Sequence, residues 1–173
     1  DAFGGFDSDM AEIAKPFFDK NWIDAVPRAG KSSGAFSHPV VPSAHPYILM
    51  NFAGKSRDVM TLAHEMGHGI HQVLAAEQGY LMSDTPLTLA ETASVFAEML
   101  AFRRLVDNES DAKVRRLLLA GKVEDMLNTV IRQIAFHNFE TQLHDRRAEA
   151  ELTADEISDI WMETQRVALG PAI

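Results

Sequence analysis

The chain has 173 residues, 46% hydrophobic and 24% charged, an ordinary globular composition with enough length for one domain with a real core. A formal charge of −9 argues against nucleic acid or an anionic membrane as partner, and no apolar run reaches membrane-spanning length. The absence of cysteine excludes disulfides and thiolate metal sites, so any zinc must be held by His and carboxylate; a reducing, cytoplasmic setting fits.

Asp7-Ser-Asp opens a first helix in N-cap style, and the pattern runs to about Lys20. Pro16 sits inside it, where a missing N–H and a bulky ring predict a kink or a restart. Residues 27–34 read as a loop. Two short extended runs follow, 35–41 and 47–52, and Pro39, Pro42 and Pro46 restrict their pairing to edges. They predict a small hairpin-like sheet, with the 47–52 run as a strand edge for an extended peptide. A second helix is expected over 56–78, stopped by Gly79. Thr85-Pro86 starts a third, with Pro at its first position, ending near Asp107-Asn108. Ser110-Asp111 opens the next helical run. Its apolar residues, among them Val123, Met126, Val130 and Ile134, keep helical spacing toward Phe139, with Gly121 a candidate break. Thr153-Ala-Asp-Glu156 is a capping box for the last helix, which Gly170-Pro171 ends. The expected fold class is mainly α, with a small β-hairpin or sheet before the second helix. The start at Asp1 without Met and the stop at Ile173 read as the ends of a piece of a longer polypeptide.

The second helix carries the chemistry. It contains H-E-x-x-H as His64, Glu65 and His68. Residues four apart lie on one helical face, so both imidazoles reach one metal ion, and Glu65 can lean toward water on that metal as a general base. From position 59 to 76, Glu65 is the only formally charged side chain, and the rest is apolar on nearly every side. A helix of that kind is buried. An unpaired carboxylate and two histidines in a core are costly, and a metal site satisfies all three. A core helix whose histidines bond to backbone is the plainer reading.

A catalytic zinc takes three protein ligands and a water. Glu77 lies too far along the same helix, and Asp84 sits in a turn-like stretch. Glu91 is the only formal charge between Asp84 and Glu98, on a third helix that can fold back antiparallel on the second, and it is the expected third ligand. The competing reading is a Thr88-x-x-Glu91 capping box. Glu98, two turns on, either supports the site from behind or faces solvent. His71 continues the histidine face, as a site residue or a plain buried histidine. Gly67 and Gly69 each cost about 1 kcal/mol of helix stability relative to Ala, which suits a close backbone, a ligand, or a tight helix contact. His137, Glu140 and His144 share a helical face and form a rival metal cluster.

These residues resemble the oligoendopeptidase F branch of the thimet-oligopeptidase-like zinc peptidases. His-Glu-Met-Gly-His-Gly-Ile-His (64–71) is similar to the family's H-E-x-G-H-x-x-H, and Leu-Ala-Glu-Thr-Ala-Ser (89–94) to its second-helix motif. Residues 30–36 and 45–52 resemble the strand region before the metal helix. The resemblance implies a zincin-like helical core, part of one catalytic domain, that cleaves oligopeptides in a deep channel. It implies one zinc ion per chain on His64, His68 and Glu91, with Glu65 as base. The family adds a Tyr- and His-rich segment that stabilises the oxyanion, and this sequence ends before it. The alternative expectation is therefore a helical metal-binding or interaction fragment without turnover.

Overall fold

The structure, a computed structural model, describes residues 1–170. Its elements in chain order are α1 (Ser8–Asp19), β1 (Ile23–Asp24), β2 (Phe36–His38), β3 (Tyr47–Leu49), α2 (Ser56–Ala75), a 3-10 turn (Ala76–Gln78), α3 (Leu87–Asn108), α4 (Ala112–Glu149) and α5 (Ala154–Leu169). The chain divides into two compact units, residues 1–109 and the residues from 110 onward. The fold is mainly α, as the periodicity predicts.

In the first unit, Asp7 caps α1 by accepting from the Asp9 and Met10 N–H groups. The helix continues through Pro16 without the expected restart. Its neighbours explain the tolerance: Ala14 and Phe17 anchor that turn in the core with Ile48, Met66 and Ile70, and Phe17 is fully buried. Apolar burial of this kind outweighs one lost helical hydrogen bond.

The sheet has order β1-β3-β2. The expected hairpin forms, with β2 antiparallel to β3 and Ser37 opposite Ile48. On the other side β1 adds parallel to β3, and the ladder continues past it through Met50 N–H to Asp24 O and Phe52 N–H to Ala25 O, each 2.9 Å. The 47–52 run is therefore the central strand. The expectation that it offers a free edge to a peptide is corrected, because both of its sides are already paired. The loop before β2 is organised by Lys31, whose Nζ donates to Asp24 O, Asp24 Oδ1 and Val26 O. Arg28 grips the same Asp24 carboxylate with two 2.7 Å bonds, and these two cations hold it well below the usual carboxylate range.

α2 begins where Asp58 accepts from the N–H groups of Lys55 and Ala53. Its two faces meet different partners. Met66, Gly69 and Ile70 face α1 and the sheet, with Gly69 against the Phe17 ring. Gly67 faces α3. Pro86 is the N-cap of α3 rather than its first helical residue, a shift within the fraying of helix ends.

In the second unit α4 runs for 38 residues without a break. Gly121 does not divide it: a Cβ there would meet nothing within 4 Å, so the position is unstrained and simply less favourable than Ala. α5 starts at the expected capping box, with Thr153 and Glu156 exchanging hydrogen bonds. It packs on α4 through Trp161, which stacks on Phe136 and meets Phe139 edge-on. No helix among the described residues is long and apolar enough to cross a membrane.

Candidate metal centre

α2 and α3 lie side by side in antiparallel sense: His64 meets Glu98, while His68, one turn later, meets Glu91. The close approach comes from small residues. A Cβ on Gly67 would stand 2.5 Å from the Ala93 carbonyl oxygen and 2.7 Å from Ser94 Cα. Gly67 thus answers a backbone contact and Gly69 an aromatic ring, so both glycines are packing requirements. With the helices this close, side chains of ordinary length from α3 reach the histidine face of α2.

Glu91 does so. Its Oε2 lies 3.3 Å from His64 Nε2 and its Oε1 lies 3.5 Å from His68 Nε2. The two imidazoles stand 5.0 Å apart, nearly perpendicular. Thr88 and Glu91 do not form a capping box: α3 has already begun at Leu87, and the Glu91 carboxylate turns to the histidines and to Ser94 Oγ. Among the described residues, His64, His68 and Glu91 form the one group whose donor atoms, all within 4.8 Å of one another, could hold a metal ion. His137, Glu140 and His144 do not converge and lie exposed on α4. His71 is outside the group.

The chemistry of the donor set fits a divalent metal of borderline hardness: two imidazole nitrogens and one carboxylate oxygen. Donors about 2.0–2.1 Å from one tetrahedral centre stand about 3.3 Å from each other. The two N···O separations, 3.3 and 3.5 Å, are close to that spacing.

The surroundings tune the three titratable groups on α2. Glu98 Oε2 lies 3.3 Å from His64 Nδ1. That hydrogen bond, opposed by burial, raises the His64 pKa. It also assigns the Nδ1 proton, leaving Nε2 turned toward Glu91. Glu98 is thus a support for His64, the first of the two roles its position allowed. Burial pushes His68 below the ordinary imidazole value, which favours the neutral ring a metal needs. Glu65 is buried, and desolvation pushes its carboxyl up, opposed in part by His64 and by the Ser37 backbone N–H. β2 therefore borders the site next to Glu65, and Ser37 is tied to α2 by two hydrogen bonds with Gln72.

Sequence reasoning did not identify Ser94. It is fully buried, and its Oγ lies 2.9 Å from Glu91 Oε2. The one signal the sequence carries is its place three residues after Glu91, on the same face of the helix.

Residues 8–173 match peptidase family M3. The chain is 36% identical over 160 residues to the chromosomal oligoendopeptidase F of Lactococcus lactis subsp. cremoris, covering 91% of this chain and 26% of that protein. It is 31% identical over 164 residues to oligopeptidase PepF of Bacillus subtilis strain 168, covering 94% and 24%. It therefore spans about a quarter of the length of these curated relatives. Among solved structures, PZ peptidase A with an inhibitor superposes with a TM-score of 0.77 at 20% identity, over 95% of this chain and 29% of that one.

Proposed function

The chain belongs to peptidase family M3, and from that premise we propose that it is the zinc-bearing part of an oligoendopeptidase, hydrolysing oligopeptides with Glu65 as general base. The observation that carries this reading is the convergence of His64, His68 and Glu91 from two helices. On this reading the two imidazoles and the carboxylate hold one zinc ion per chain. When bound, zinc supplies Lewis-acid chemistry, acidifying water and polarising the scissile carbonyl.

The remaining work falls to side chains of this chain. Glu65 takes the proton of the attacking water and later gives it to the leaving amine. Its burial suits that task, since a carboxylate with raised proton affinity is a better base near neutral pH than an exposed one. Glu98 holds the His64 ring by Nδ1 and fixes which nitrogen is free.

The relatives' names, oligoendopeptidase F and oligopeptidase PepF, support an oligopeptide substrate; a cytoplasmic setting is part of the proposal and rests on the cysteine-free composition. Because the chain spans a quarter of their length, full turnover is proposed for a longer protein, with both units in its one catalytic domain. That short span equally favours a second reading for the chain by itself: a metal-binding fragment without turnover. Peptidase assays of wild type and Glu65→Gln in the longer protein separate the possibilities. Glu65→Gln is expected to keep its zinc and lose activity by several orders of magnitude. Retained activity would remove the base assignment.

A further inference from the structure

The contact between α2 and α3 holds one polar side chain with no part in the chemistry above. Ser94 is 0% exposed and lies against Gly67 of the facing helix. Its Oγ lies 3.0 Å from the Glu91 carbonyl oxygen and 2.9 Å from Glu91 Oε2. A hydroxyl has one proton to donate. Helical serines commonly give it to a carbonyl three or four residues back. Here a carboxylate competes at no greater distance, and a charge-assisted bond is roughly twice as strong as a neutral one.

The consequence lies in the carboxylate. The last side-chain torsion of Glu is broad and nearly two-fold, so a glutamate on a helix has no strong preference for the plane of its oxygens. Glu91 needs one, because Oε2 faces His64 and Oε1 faces His68. A donor fixed one turn further along α3 supplies it. Ser94 is fixed because it is pressed against Gly67, where a Cβ would stand 2.7 Å from Ser94 Cα.

We propose that Ser94 is a positioning residue for the metal: its hydroxyl clamps Glu91 Oε2 and sets the plane of the carboxylate that the two histidines share. The proposal rests on the reading of His64, His68 and Glu91 as ligands. Supports of this kind are worth about 10–100-fold in metal affinity.

The test is zinc affinity, measured by competition with a chromophoric chelator, in the full 173-residue chain. Four proteins are compared: wild type, Ser94→Ala, Glu91→Ala and the double variant. Melting of each metal-free protein is followed in parallel. Ser94→Ala is expected to bind zinc about tenfold more weakly or worse, with metal-free melting close to wild type. In the Glu91→Ala background the same change should have no further effect, since its target is gone. Wild-type zinc affinity in Ser94→Ala overturns the proposal. So does an equal loss with and without Glu91, or a loss that merely tracks a lower metal-free melting temperature; the hydroxyl is then packing only. Unchanged affinity in Glu91→Ala overturns the ligand reading itself, and the clamp with it.

Discussion

The α2–α3 pair and the α4–α5 pair are both antiparallel, and they are closed by opposite means. The first is closed with the smallest side chains available, Gly67 against Ala93, Ser94 and Ala97, and carries imidazoles and carboxylates along its margin. The second is closed around one large ring, Trp161, with Phe136 at 5.7 Å and Phe139 at 5.2 Å. Its polar tie, Arg146 to Glu156 at 3.2 Å, is exposed and contributes little. Small residues bring backbones together and let side chains of ordinary length meet across a polar cluster. Aromatic residues hold helices through area and ring geometry and leave no such cluster. The same residue type therefore means different things: a glycine is required at 67 and incidental at 121.

Gly67 is where the small-residue pair is most vulnerable. An added methyl would meet backbone at 2.5 and 2.7 Å, so the helices must part. Gly67→Ala should lose zinc binding and cost roughly 1–3 kcal/mol, despite the gain in helix propensity. Thermal unfolding with and without zinc measures both, and a higher melting temperature with intact binding would show that the close approach is not needed. Trp161→Ala comes next. Trp161 is 37% exposed, so loss of its ring should cost about 2 kcal/mol, less than for a fully buried tryptophan. Zinc affinity should stay at the wild-type level; a parallel loss of zinc would mean that the second pair supports the site. Smallest is Gly121→Ala, with open space around the new methyl. It should stabilise α4 by up to about 1 kcal/mol, read as a modest rise in helix melting followed by circular dichroism. A fall would reveal a contact at that position.

What the sequence made legible follows the same division. α2 and the Glu91 turn of α3 were readable because single charges stood out on apolar helices, and such charges need partners. The two expected histidines and the expected carboxylate meet in space. β1 was unreadable, because two residues carry no periodicity and their pairing is set by the neighbouring strand. The order of the sheet is hidden for the same reason, and the sequence alone presents β3 as an edge. Pro16 and Gly121 read as interruptions by local propensity, while packing and length decide that both helices continue. Glu98 acts across a helix contact whose register the sequence does not state. Ser94 shares a face with Glu91, but nothing in the pattern says that its hydroxyl turns to the carboxylate rather than only to a backbone carbonyl.

The central claim is that two helices share one cation. Elemental analysis of purified wild type beside Glu91→Ala tests it most directly. Wild type should carry close to one zinc per chain and the variant should lose most of it, with helix content unchanged. Equal zinc in both proteins, or none in wild type prepared with zinc present, would contradict it.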